Sequence, residues 1–222
     1  MRDPGSKLGR FLTRRKMQRI IYSAVPAFMP PPPRAFAAYG QDALIAAPGR
    51  IEGAEFITIG KRVKILEHIW LIARREPGRP PPRLILGDDV LINRFVKIVS
   101  VGEVVIERDT MIGDNCYISD THYLYDDPDR SIQEQGLAPS RPVHIGAGCH
   151  IAFRSTIRPG VTLADYVHVG PGSVVSDDMP ERSVVHGDPA RVIRRYDAAR
   201  GEWLFVRPGM SEREAEGTAD TV

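Results

Sequence analysis

The sequence predicts an all-β protein: a parallel β-helix, folded as a triangular prism of about five coils, with an N-terminal helical segment and a protruding loop. Three observations carry this prediction. Aliphatic residues recur every six positions, the position four after each of them is mostly small or β-branched, and every break in the period falls at the same point of the coil. From Ile145 the period runs Ile145, Ile151, Ile157, Leu163, Val169, Val175. The same spacing appears in Ile106, Ile112, Ile118, in Leu86, Ile92, Ile98 and in Ile59, Ile65, Leu71. A period of six matches neither a helix nor plain strand alternation. It matches a chain that turns a corner every six residues and points one aliphatic inward per side. Three hexads make one coil, so coils begin near residues 59, 86, 106, 145 and 163. At the strand spacing of about 4.8 Å the prism stands about 24 Å tall.

The elements follow in chain order. Residues 1–50 read as a basic helical segment and a Pro-rich linker. Residues 1–20 hold seven Lys/Arg and one Asp, interleaved with Leu8, Phe11, Leu12, Met17 and Ile20. Such a helix is expected to cap the open end of the prism and hide its unpaired edge, the alternative being peripheral contact with an anionic membrane. Residues 51–195 form the β-helix. Its position-four residues (Val63, Ile69, Val90, Val96, Thr110, Cys116, Cys149, Ser155, Val161, Val167, Ser173) suit a tight interior corner. Cys116 and Cys149 are therefore expected to be buried and structural. The breaks are Leu71 to Leu86, Ile98 to Ile106 and Ile118 to Ile145, and they put Arg75, Gly102 and His122 in the slot that is normally inward. Insertions therefore leave the prism on one side, the largest spanning 119–144, and loops on a rigid scaffold are where function concentrates. Residues 196–222 form an extension whose Trp203, Leu204 and Phe205 are expected to pack on the last coil, followed by an acidic tail from Met210.

Composition narrows the function classes. Lys+Arg total 30 against 28 Asp+Glu, a net charge of +2, so no global field recruits nucleic acid. The chain has no apolar run long enough for a transmembrane helix and no signal-peptide core, which points to the cytoplasm. Two cysteines make neither a disulfide framework nor a cysteine zinc site.

The stretch IGDNCYISDTHYLYDDPDR, followed by RPVHIGAGCHIAFRSTIRPGVTLADYVHVGPGSVVSDDMPERSVVHGDPARVIR, resembles the hexapeptide-repeat acyltransferases with a left-handed β-helix. Within that family it is most similar to the maltose, galactoside and exopolysaccharide O-acetyltransferases. The resemblance covers about residues 59–195 and implies a homotrimer with its active sites between neighbouring prisms. It also implies an acyl-CoA co-substrate, acetyl-CoA or succinyl-CoA, laid along the C-terminal coils, and a sugar or glycan acceptor. His122 in SDTH matches the family's general base.

The chemistry of the residues agrees. Acyl transfer to a hydroxyl needs a base, and an imidazole, with an ordinary pKa of about 6.5, suits that work. A carboxylate should orient it, with Asp120 and Glu134 as candidates among the loop acids. The backbone N–H of Ala152 is a candidate oxyanion donor, and the resemblance points to Gly170, Ser176 and Arg191 for the cofactor. Relatives often carry Thr-Lys where this chain has Ser176-Asp177. Asp127, Arg130 and His150 are candidates for substrate contact, and a charged acyl group would be met by Arg130, Arg141, Arg154 or Arg158. His150, His168 and His186 are spaced by 18 and are expected to stack in one outward column. His122, His144 and His150 lack the spacing of the zinc enzymes built on this prism, so no metal is expected. The rival readings are N-acylation of an amino sugar or nucleotide-sugar, and a non-catalytic hexapeptide scaffold.

Overall fold

The computed structural model describes residues 30–206. The expected N-terminal helix and the acidic tail from Met210 lie outside the described residues. Strands follow one another around three parallel faces. The first face stacks Ala38–Tyr39, Ile57–Ile59, Arg83–Leu86, Glu103–Ile106, Val143–Ile145 and Thr162–Leu163. The second stacks Leu44–Ile45, Lys64–Ile65, Leu91–Ile92, Met111–Ile112, His150–Ile151 and His168–Val169. The third stacks Arg50–Glu52, Trp70–Ala73, Lys97–Ser100, Tyr117–Ser119, Thr156–Ile157 and Val174–Val175. Among the described residues no helix is long and apolar enough to cross a membrane.

The hexad aliphatics are the register. Ile59 pairs with Leu86, Leu86 with Ile106, Ile106 with Ile145 and Ile145 with Leu163. Ile65, Ile92, Ile112, Ile151 and Val169 form the second column, and Leu71, Ile98, Ile118, Ile157 and Val175 the third. All fifteen are buried and fill one core.

The corners explain the period. The residue three after each inward aliphatic turns to positive φ: Arg62, Asp89, Asp109, Gly148 and Tyr166 between the first and second faces, and His68, Phe95, Asn115, Arg154 and Gly172 between the second and third. In that conformation its N–H reaches a carbonyl of the preceding coil, as Asp89 does to Lys61 at 2.8 Å and Arg154 does to Asp114 at 3.0 Å. An aspartate one residue earlier often adds a bond: Asp88 accepts from the Lys61 amide at 2.8 Å, and Asp165 from the Ala147 amide at 2.9 Å. Coils approach closely here. A Cβ on Gly60 would stand 2.6 Å from the Gly87 carbonyl carbon.

The position-four residues point inward, and their polar members are satisfied by the next coil, as buried polar groups must be. Thr110 Oγ1 donates to Gly146 O at 2.9 Å and accepts from the Cys149 amide at 3.0 Å. Ser155 Oγ donates to Gly170 O, and Ser173 Oγ accepts from the Gly187 amide at 3.2 Å while donating to Gly170 O within its own coil. Cys116 Sγ donates to Ala152 O at 3.1 Å, and Cys149 Sγ to Ala164 O at 3.2 Å.

Three expectations need correction. The stack starts at Ala38, inside the expected linker, because Tyr39, Ile45 and Ile51 form an earlier coil at the same spacing of six. Its first member is aromatic, so an aliphatic pattern passes over it. The histidine column ends at two members. His150 pairs with His168, but Val184 pairs with His168 in turn, because the closing coil reaches the second face two residues early. His186 instead lies opposite Arg191 in an antiparallel turn. In the extension, the strand Glu202–Phe205 pairs antiparallel to Ala190–Asp197 and buries only Leu204. Trp203 leans edge-on against Tyr196, and the Arg194 guanidinium stands 3.9 Å from the Phe205 ring centre. Strand alternation sends those two side chains outward.

Burial pushes both thiols up to about 11. The folded protein is therefore expected to resist iodoacetamide at pH 7.5, with both cysteines alkylated only after denaturation, as read by intact mass.

Candidate active site

The third corner, between the third and first faces, is where the chain leaves the prism. After Ile118 the loop begins on a root that is wholly buried. Ser119 Oγ donates to Thr121 O at 2.9 Å and accepts from the Thr121 amide at 3.2 Å. The two ends of the loop then pair: Arg141 N–H donates to Asp120 O at 2.8 Å, Ala138 N–H to His122 O at 2.9 Å and Leu124 N–H to Gly136 O at 2.9 Å. Thr121 Oγ1 adds a bond to Ala138 O at 3.0 Å. His122 is thus held by its backbone while its side chain is exposed. Its ring sits 6.0 Å from that of Tyr125, and no described residue hydrogen-bonds the imidazole.

The carboxylates expected beside it are committed elsewhere. The Asp120 carboxylate is buried and accepts from the amides of Val101 (3.0 Å) and Gly102 (2.7 Å) and from Ser100 Oγ (3.3 Å). It closes the two-residue insertion on the preceding coil. Burial holds this carboxyl above the usual carboxylate range, although the amides pull the other way. Glu134 accepts from the Ser131 amide at 3.3 Å and caps the single helical turn Ile132–Gln135. Asp127 and Arg130 belong to the same loop tip. Gln135 bridges the Asp127 amide, Asp127 O and Arg130 O, while Arg130 donates to Glu134 O at 2.9 Å and lies 4.0 Å from the Asp127 carboxylate.

Arg79 is the residue that the sequence reading passed over. It sits in the Pro-rich insertion REPGRPPPR, and its guanidinium donates to Ala138 O at 3.1 Å and Leu137 O at 3.2 Å. The first insertion therefore braces the third at the strand that holds His122. A single arginine inside a proline-rich segment was the available signal.

The cofactor candidates fall on the C-terminal coils. The Ala152 N–H donates to Val169 O at 2.9 Å as part of the sheet, so it is not a free oxyanion donor. Gly170 accepts from two serines, and a Cβ there would stand 2.6 Å from His186 Nδ1. Ser176 is half-buried. Arg191 pairs with Asp177 at 2.9 Å, so this carboxylate compensates the guanidinium. A groove of about 400 Å³ lies at the second corner on these coils, lined by Phe153, Arg154, Pro171 and Gly172. Beside it on the second face, His150 Nδ1 and His168 Nδ1 stand 3.0 Å apart. Burial lowers the pKa of both rings, with repulsion from His168 adding to the effect on His150. Among the described residues no three His, Cys, Asp or Glu converge where they would hold a metal ion.

Two outcomes are expected. Replacing Arg79→Ala removes two charge-assisted bonds and should speed tryptic cleavage within 122–141 by about tenfold, scored by limited proteolysis. The histidine pair makes stability pH-dependent. With both folded pKa values below the unfolded one, the unfolded chain takes up protons first as pH falls through about 6.5. Melting temperature should drop between pH 7.5 and 5.5, and less steeply in His168→Gln.

The family described as "Bacterial transferase hexapeptide (six repeats)" matches residues 142–177. A protein of Escherichia coli K12 named as a lipopolysaccharide biosynthesis O-acetyl transferase, WbbJ, is 31% identical over 126 residues, covering 54% of this chain and 64% of that one. The match thus spans a little under two thirds of that relative. The galactoside O-acetyltransferase of the same organism is 29% identical over 165 residues, covering 71% of this chain and 76% of that one. Among solved structures, a mutant of AntD, an N-acyltransferase from Bacillus cereus in complex with dTDP and coenzyme A, superposes with a TM-score of 0.64 at 17% identity, covering 79% of this chain and 94% of that one. Hexads in register on three faces, a loop leaving one corner and these likenesses agree: the chain carries the bacterial transferase hexapeptide repeat over residues 142–177 and is similar to proteins named as O-acetyltransferases.

Proposed function

We propose that the protein is an acyl-CoA-dependent O-acyltransferase that modifies a hydroxyl of a sugar, glycan or polysaccharide, with His122 as general base. The observation that carries this is the placement of His122: an imidazole with both nitrogens unengaged by the described residues, on a backbone fixed by Ala138 and, through it, by Arg79. The relatives named O-acetyltransferases support the acyl group and the oxygen acceptor. In this reading His122 removes the acceptor's hydroxyl proton as its oxygen attacks the thioester carbonyl. The tetrahedral intermediate collapses with loss of the CoA thiolate, which recovers the proton from the imidazolium. Acetyl-CoA is the first choice of donor and succinyl-CoA the second.

The proposed homotrimer has a geometric motive. His122 stands at the third corner and the groove beside Phe153 and Pro171 at the second, so one prism keeps base and groove apart. A neighbouring prism that presents its groove to this corner completes the site. The left-handed sense of the coil, a capping role for the N-terminal segment and a cytoplasmic location, where acyl-CoA is available, belong to the same reading. N-acylation of an amino sugar or nucleotide-sugar is the second reading, favoured by the fold shared with AntD.

The test is calorimetric titration with CoA and acetyl-CoA, followed by thiol release in the presence of a panel of sugars. Wild type and His122→Ala should bind acetyl-CoA alike, while the variant loses about 10²- to 10⁴-fold in turnover. A folded wild type that binds no CoA overturns the reading.

A further inference from the structure

The charges around the third corner are unevenly matched. Three carboxylates on the prism side of it are occupied: Asp120 by the Val101 and Gly102 amides, Asp177 by Arg191, and Asp178 by the Thr162 amide at 2.7 Å. Two exposed guanidiniums of the same corner, Arg141 and Arg158, have no ion pair with any described residue. The other arginines weighed for a charged substrate are engaged. Arg130 is tied into the loop tip, and Arg154 lies over Phe153 at 5.8 Å from the ring centre.

Arg141 is also seated. Its backbone links two parts of the site, donating to Asp120 O at 2.8 Å and accepting from the Gly160 amide at 3.0 Å. Its guanidinium lies directly on Gly160, where a Cβ would stand 2.6 Å from Nε and Nη2. Gly160 has φ of +86°, which no side-chain-bearing residue of the described corners shows. The bare glycine lets the planar fork rest on the coil above the loop, at the return strand opposite Asp120 and two residues from His122 in that pairing.

We propose that Arg141, with Arg158 two residues before Gly160 on the same coil, forms an anion-recognition site next to the proposed base, and that one substrate carries a carboxylate or phosphate there. The inference rests on the assignment of His122 as base. Neither guanidinium has a carboxylate partner among the described residues, so an anion that reaches them meets uncompensated positive charge. A guanidinium fork matches a carboxylate or phosphate through two parallel N–H···O bonds. The anion has two sources: the far end of a dicarboxylic acyl group on the donor, or an acidic or phosphorylated sugar as acceptor.

The experiment titrates wild type, Arg141→Ala, Arg141→Lys and His122→Ala with CoA, acetyl-CoA and succinyl-CoA, and with glucose, glucuronate and glucose 1-phosphate. Wild type should bind succinyl-CoA tighter than acetyl-CoA, or an anionic sugar tighter than glucose, and the arm that responds identifies the source. Arg141→Ala should lose that preference by about tenfold or more, and Arg141→Lys should recover part of it. CoA itself should bind equally to all four proteins. The proposal is overturned by a wild type that shows neither preference, by an Arg141→Ala protein that keeps the preference, or by one that weakens CoA as much. Full turnover in His122→Ala with the anion preference intact would fail the base and leave the anion site standing.

Discussion

Each coil of this protein closes by one backbone device. A residue at the corner enters the left-handed region, which aims its amide at a carbonyl of the coil below. The chain uses it at Arg62, Asp89, Asp109, Gly148 and Tyr166 on one edge and at His68, Phe95, Asn115, Arg154 and Gly172 on the next. For residues other than glycine this conformation costs about 1–2 kcal/mol each. The cost is offset by what the corner makes possible, one ladder of amide bonds and one buried aliphatic per side, the latter alone contributing about 1.5–3 kcal/mol. Remove the corner and the aliphatics lose their register; remove the aliphatics and nothing holds Phe95 or Tyr166 at positive φ.

The third corner lacks that regularity, and this is where the candidate site gathers. Among the described residues only Gly160 repeats the device there, with its amide on Arg141 O. The other coils leave the prism through insertions, and those insertions depend on each other. Asp120 closes the short one, while Arg79 of the Pro-rich one grips the carbonyls of the longest. His122 is therefore rigid at its backbone and free at its ring, the condition a base needs when its partner arrives from outside.

Charge follows the same division. On the regular edges acids and bases pair between coils, as Arg62 does with Asp89 and Arg94 with Glu67 at 2.9 Å. On the C-terminal coils Asp177 balances Arg191, and partial burial lowers the pKa of the two neighbouring histidines, with His168 adding to the effect on His150. Arg141 and Arg158 are left without a counter-charge beside the loop, which gives the candidate site a positive edge that the net charge of +2 does not reveal.

Periodicity by itself determined the architecture. One inward aliphatic per six residues is a strong enough pattern to set strand, face and register over residues 59–175, and it placed His122 outside the prism by showing that its slot had lost the inward role. It missed the coil of Tyr39, Ile45 and Ile51, because an aromatic at the first position falls outside an aliphatic pattern, and it extended the histidine column to His186, because a period cannot announce where the last coil shortens. Side-chain partnership was decided only by the tertiary structure. Asp120, Glu134 and Arg130 are unremarkable loop residues until the backbone brings amides to the carboxylates and carbonyls to the guanidinium, and Arg79 reaches Ala138 across 59 residues of chain. Hydrogen bonds are short and directional, so they follow from where the folded backbone places donors and acceptors; hydrophobic period is a property of the chain and can be read before it folds.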